Sequence, residues 1–394
     1  MRKFTADLVF VGNGDEIKNG IIICADDGRI LEVLNPETTV ETAEAEYFPG
    51  ALCPGFVNTH CHLEYSWVKG KIEPGLGLSG FIQAIETLKN SHAINEKKKQ
   101  DFLLAADQEM HENGIIAVGD LSNDSNSFNI KKNSKLYYHT FIELLGFHPE
   151  KAAKEFARGM VLWEKLEGNL KSITLHAPYS VSESLLVSIC NHAKEHGYPL
   201  TMHNQESEAE DELFREKKGD ILERLSSFGI PTDFFIPSGK SSLQSVFDKF
   251  PAQNKLLLVH NTFTSQSDIQ FAIENHPRLY FCFCPNANLF ITGKLPDIPH
   301  FLKLGANITL GTDSLASNHQ LNILEEMKSI HLYFPQIPLG NLIFWATLQG
   351  AEFLGISKEF GSFEKGKKPG INYLHGTGIK GGKMESNTCV KRLI

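Results

Sequence analysis

The sequence places histidines and carboxylates at the ends of short apolar runs, a pattern suited to holding a metal ion beside proton-transfer groups. The clearest case is His60-Cys61-His62, which closes an apolar run from Tyr47 to Val57. If Phe56 to His62 is a strand, alternation puts both imidazoles on one face, where they can bind one ion. Further along stand His176, then His203 with Glu206 three residues later, His260, and Asp313, each after its own apolar run. A catalytic metal needs a few protein ligands and an open position. It acidifies water to give a nucleophile at neutral pH, and nearby carboxylates move the protons. His92, His111, His192, His196, His276 and His300 lack such a setting and read as core or helix-cap residues.

The elements that must position these groups follow from periodicity. Residues 1–53 read as short strands: Ala6 to Val11, then Ile21 to Cys24 and Arg29 to Leu34, with a turn at Gly12-Asn13-Gly14 and a hairpin signal at Asn19-Gly20. From residue 54 the texture changes to strands alternating with amphipathic stretches. Strands are expected to end near Asp120, Glu143, His176, His203, His260, Cys284 and Asp313, and the opening strand makes eight. Helices are expected over Gln100–Asn113, Lys151–Leu166, Ser182–His196 and Ser265–Asn275. This is an α/β pattern, a (β/α)8 barrel whose site lies where strands end and loops begin. Residues 207–250 form a long connection at that end, read either as a lid or specificity wall or as an acidic solvated helix. Gly239-Lys240-Ser241 is no phosphate loop, because position 234 is Phe.

Composition narrows the rest. The 394 residues suffice for one large barrel domain or two medium domains, and a hydrophobic share of 41% allows a sizeable core. A net charge of −9 without a basic block argues against nucleic acid or an anionic membrane as partner. Seven cysteines at irregular spacings show no disulfide framework and fit a reducing compartment. Cys282 and Cys284 read as small buried strand residues. No signal peptide or membrane-length apolar run is visible, so the cytoplasm is the expected location and a small molecule the expected partner.

Taken together, the motifs resemble the amidohydrolase superfamily, in its deaminase branch. The matching pieces are His60-Cys61-His62, His176-Ala177-Pro178-Tyr179-Ser180, His203-Asn204-Gln205-Glu206, Leu258-Val259-His260-Asn261 and Gly311-Thr312-Asp313 through Ser317-Asn318. The resemblance implies a barrel over 54–355 and a small β-sandwich from 1–53 and 356–394. It implies that His60, His62, His203 and Asp313 are the metal ligands. His176 stands where two-metal members carry a bridging lysine, and Lys171 lies at the wrong end of its strand, so one divalent ion is expected, zinc first and iron as the alternative.

By the same resemblance Glu206 is the proton shuttle, Asp313 accepts the water's proton, and His260 stabilises the attack. His176, Glu64, Ser317 and Asn318 form the substrate side. His62-Leu63-Glu64-Tyr65-Ser66 is similar to the aminodeoxyfutalosine deaminases, with Glu64 either a contact to ribose hydroxyls or a helix cap. Trp67 and Phe81 are either walls for a purine or core. The implied reaction is hydrolytic deamination of a 6-aminopurine nucleoside: aminodeoxyfutalosine, S-adenosylhomocysteine, methylthioadenosine or adenosine. The alternatives are a free base, dechlorination of a triazine-like ring, or a catalytically inactive barrel. Related barrels often form homodimers.

Overall fold

The computed structural model describes residues 1–36, 44–91, 94–168 and 170–394, so His92 lies outside the described residues. The chain opens with β1 (Arg2–Phe10), β2 (Glu16–Lys18), β3 (Ile21–Cys24), β4 (Ile30–Leu34) and β5 (Glu46–Cys53). It continues through β6 (Phe56–Cys61), β7 (Ile115–Ser122), β8 (Tyr137–Leu144), β9 (Lys171–Leu175), β10 (Leu200–Asn204), β11 (Leu256–His260), β12 (Leu279–Phe283) and β13 (Ile308–Leu310). It ends with β14 (Asn372–His375) and β15 (Cys389–Arg392).

The middle strands form two parallel four-stranded sheets, β6-β7-β8-β9 and β10-β11-β12-β13. Every residue of β6, β7, β10 and β11 is buried, as parallel strands covered on both faces must be. Hydrogen bonds cross both seams between the sheets. His203 N donates to the His176 carbonyl at 2.8 Å on one side. Thr312 N and Asp313 N donate to the His60 carbonyl at 3.0 and 3.1 Å on the other. The second seam needs Gly311, since a Cβ there would lie 2.7 Å from the His60 Cβ and 2.8 Å from Cys282 Sγ.

Helices separate the strands, and their ends carry sequence signals. Glu183–His196 begins after Ser182, whose hydroxyl accepts from Leu185 N, and stops at Gly197 in the left-handed region. Glu96–Glu112, Ala152–Lys165 and Gln266–Asn275 lie within a few residues of their expected bounds. No described helix is long and apolar enough to cross a membrane. All seven cysteines are free, with Cys282 and Cys284 fully buried.

The terminal strands form one hydrogen-bonded sheet in the order β15-β14-β5-β1-β3-β4, with β2 also on β1. Its own core joins Phe4, Val9, Ile22, Ile30 and Leu52 to Phe363 and Ile371. Asn19-Gly20 is not the hairpin expected. β2 and β3 both pair antiparallel with β1, so they are two stretches of one return path. Asn19, at φ 51°, only interrupts the pairing, and the reversal falls at 12–15, where Val11 N donates to the Asp15 carbonyl.

Candidate active site

Strand ends bring the expected groups together. His60 lies near the end of β6 and His62 just after it. His203 is in β10, His260 ends β11, and Asp313 follows β13. His62 Nε2 is 3.3 Å from His203 Nε2 and 3.6 Å from Asp313 Oδ1, and His60 Nε2 is 3.5 Å from the same oxygen. Donor atoms of His60, His203, His260 and Asp313 lie within 4.8 Å of one another. A tetrahedral ion with donors at about 2.1 Å sets donor–donor edges of about 3.4 Å, so the 3.3, 3.5 and 3.6 Å separations suit one.

The remaining atoms agree with that fit. Both ring nitrogens of His60 and Nδ1 of His62 have no hydrogen-bond partner among the described residues although they are buried. Nδ1 of His203 is 2.9 Å from the His176 carbonyl, which fixes it as the protonated nitrogen and leaves Nε2 a lone pair. Burial holds His60, His62 and His203 below the ordinary imidazole range, so each is neutral and able to ligate. Burial pushes the Asp313 carboxyl up, and the contact with His60 is the largest influence holding it below its ordinary range. The donor set suits a divalent cation.

The backbone is bent to make this constellation. Gln205, His260, Asn261 and Asp313 are non-glycine residues at φ 43°, 70°, 57° and 56°. Left-handed backbone at such residues is uncommon and concentrates where function over-determines it. Here it falls at or just past the ends of β10, β11 and β13.

A cavity of about 530 Å³ opens over these groups. His62, His176, His203, Glu206, His260 and Asp313 form its floor. Glu206 is buried, with Oε1 3.6 Å from His260 Nε2, and burial holds its carboxyl above the ordinary range. Asn288 Oδ1 accepts from His260 Nδ1 at 2.8 Å, which turns the Nε2 lone pair toward Glu206 and the donor cluster. His176 Nδ1 is 2.9 Å from Ser180 Oγ.

Glu64, Ser317 and Asn318 do not line the cavity. Glu64 Oε2 accepts from Asn123 N at 2.9 Å. Ser317 Oγ donates to Asp313 Oδ2, and Asn318 Nδ2 bridges the Thr312 carbonyl at 3.0 Å and Glu326 Oε1 at 2.7 Å. Phe81 is a cavity wall, whereas Trp67 is core with Val68, Ile72 and Ala316.

The long connection folds as Glu208–Glu216, Asp220–Ser227 and Ser242–Val246. Ile221, Leu225, Phe228 and Ile230 wall the cavity. Its acidic stretch is not uniformly solvated. Glu210 is fully buried, accepts from Gln205 N at 3.0 Å and Glu206 N at 2.7 Å, and is lifted to about 8 by burial. It clamps the turn that carries Glu206.

Two carboxylates were not legible as site residues. Glu210 sits in an acidic run whose inward face has no sequence mark. Glu143, at the end of β8, is buried, lines the cavity and is lifted to about 7 by burial. Its only signal is a carboxylate near the end of an apolar strand.

Metal-type donors at the carboxyl ends of parallel strands, over a deep cavity, define a metal-dependent hydrolase of the α/β class. A model of the amidohydrolase family matches residues 51–388, and the chain belongs to that family. It is 27% identical over 336 residues to an adenosine deaminase of Helicobacter pylori, covering 84% of this chain and 80% of that one. It is 28% identical over 368 residues to a 5′-deoxyadenosine deaminase of Methanococcus vannielii, covering 86% and 79%. The crystal structure of Helicobacter pylori aminofutalosine deaminase in complex with methylthio-coformycin superimposes with a TM-score of 0.81 at 25% identity, covering both chains fully.

Proposed function

We propose that this chain is a metal-dependent hydrolytic deaminase of 6-aminopurine nucleosides that carry a substituent at the 5′ position, aminodeoxyfutalosine first among them. The two parallel sheets form one closed (β/α)8 barrel over 54–355, and 1–53 with 356–394 form the small β domain. His60, His62, His203 and Asp313 would hold one divalent ion, zinc first. The observation that carries the reading is the donor set at tetrahedral spacing with Glu206 and His260 facing each other 3.6 Å apart beside it.

Such an ion, when bound, supplies water acidified to near-neutral pKa as the nucleophile. Asp313 receives a proton from the attacking water. His260 Nε2 accepts a hydrogen bond from that water and aims it. Glu206, whose carboxyl burial holds above the ordinary range, gives a proton to a ring nitrogen of the purine, which makes the amino-bearing carbon electrophilic. It then takes the hydroxyl proton of the adduct and relays it to the departing amine, and the proton held by Asp313 returns to Glu206, so ammonia leaves as the ring carbonyl forms and both carboxyls regain their starting states. His176 contacts the sugar or ring from β9's end. Ser317 and Asn318 shape the loop that presents Asp313.

The 5′-substituted class is supported by the cavity's apolar wall, which extends beyond what a base alone requires. The relatives' names, adenosine, 5′-deoxyadenosine and aminofutalosine deaminase, all belong to 6-aminopurine nucleosides. The test is ammonia release from aminodeoxyfutalosine, methylthioadenosine, S-adenosylhomocysteine, adenosine, guanine and cytosine, with and without a chelator. Chelator-sensitive turnover of the 5′-substituted nucleosides is expected. Turnover of guanine or cytosine alone would overturn the nucleoside reading.

A further inference from the structure

One carboxylate facing the cavity has no part in the steps above. Glu143 is 1% exposed and lies beside His62, His176 and His203. Its Oε2 accepts from Asn123 Nδ2 at 2.9 Å. Its Oε1 is buried with no hydrogen-bond partner among the described residues. The near nitrogen, His203 Nδ1, is 3.6 Å away and already donates to the His176 carbonyl. A buried carboxylate oxygen without a donor is costly, and native structures rarely leave one.

The carboxylate is also held in place. Asn123, which binds it, donates its backbone N to Glu64 and accepts from Tyr65 OH at 3.0 Å through Oδ1. Lys89 Nζ donates to that phenol at 2.8 Å, and Arg158 Nη1 donates to the Asn123 carbonyl at 2.7 Å. The frame therefore fixes which oxygen meets Asn123 and which is left without a donor. Glu64 serves this frame from behind.

We propose that Glu143 reads the sugar of the substrate, its free Oε1 accepting hydrogen bonds from the vicinal 2′ and 3′ hydroxyls. A carboxylate is an acceptor, so its partner must donate. A vicinal diol offers two donors to one oxygen with two lone pairs. The proposal rests on the nucleoside reading given above.

Glu143→Gln tests it. If the amide oxygen accepts from Asn123, its NH2 faces the cavity; if it is turned, it opposes Asn123's own NH2. Either way the acceptor pattern is lost without change of size. The substrates are methylthioadenosine and adenosine, each beside its 2′,3′-dideoxy counterpart, and the readouts are kcat, KM and metal per chain.

The wild type should prefer each ribosyl substrate by about tenfold to a hundredfold in kcat/KM, carried by KM. In E143Q that preference should collapse toward one while bound metal stays at the wild-type level. Glu143→Asp, which withdraws the oxygen by one methylene, should collapse it as well. Equal loss on both members of a pair would mean a structural role and overturn the proposal. So would a second ion, held by His62, Glu143 and His203 in the wild type and lost in the variant. A wild type indifferent to the hydroxyls would overturn it and leave the nucleoside reading standing. A wild type inactive on all four nucleosides and on aminodeoxyfutalosine would remove both.

Discussion

His60, His203, His260 and Asp313 stand at strand ends hydrogen-bonded to one another, whereas Leu78, Phe81, Ile82, Leu225 and Phe228 reach the same cavity from surface helices and a loop. On the first side, chemistry dictates residue type, and the backbone takes uncommon left-handed conformations to aim it. On the second, what matters is apolar volume, which many side chains supply. The first side should therefore fail abruptly when one group changes, and the second by degrees.

The sharpest break is His60→Ala. His60 is fully buried and neither ring nitrogen has a hydrogen-bond partner among the described residues, so the alanine removes a donor from the set and costs the protein no hydrogen bond. Metal content should fall and turnover drop by about 10³-fold or more, since a bound ion contributes several kcal/mol to the reaction. Metal analysis beside an ammonia assay checks it. Full metal with full activity would remove His60 from the ligand set.

Glu206→Gln should break the same side differently. The amide cannot carry the shuttled proton, so kcat should fall about 10²-fold or more while the metal stays bound. Near-wild-type deamination by E206Q would end the shuttle assignment.

The two sides also differ in how far the sequence disclosed them. His60-Cys61-His62, His203 with Glu206, His260 and Asp313 were legible because each combines an uncommon residue type with a place at a strand end, and strand ends follow from runs of apolar residues. The strands were therefore found to within a few residues; β6 ends at Cys61, one residue before His62. The cavity wall was not legible to that degree. Leu225 and Phe228 lie in an amphipathic stretch whose inward face depends on where the segment folds back, and nothing local sets that. Phe81 and Trp67 looked alike in sequence, yet one walls the cavity and the other packs in the core. Asn19-Gly20 misled because a dipeptide suited to positive φ can interrupt a strand as well as reverse it, and here only Asn19 takes that conformation.

Glu210 lies between the two sides, and its effect should lie between theirs. Replacing it with alanine strips the acceptor from two buried N–H groups, those of Gln205 and Glu206. That costs about 2 kcal/mol or more of stability, because buried donors left unpaired carry their full desolvation penalty. The turn bearing Glu206 loosens, so kcat should fall about tenfold, with metal content unchanged and Tm lowered. A lowered Tm with undiminished kcat would show that the strained turn at Gln205 holds Glu206 without the clamp.

The smallest effect belongs to the apolar wall. Phe228 is 42% exposed at the cavity edge, so its ring can give up only part of its surface to a ligand. Phe228→Ala should lose about 1 kcal/mol of contact with a 5′ substituent, which raises KM for methylthioadenosine about fivefold. Because the ring touches none of the groups that move protons, kcat should hold. Adenosine, without an apolar group at 5′, should lose less than methylthioadenosine, and the difference between them measures what the wall contributes to selection. If both nucleosides lose equally, the wall acts by holding the 220–230 segment in shape. If kcat falls with KM, the wall places the purine over Glu206, and the two sides of the cavity are coupled through the substrate.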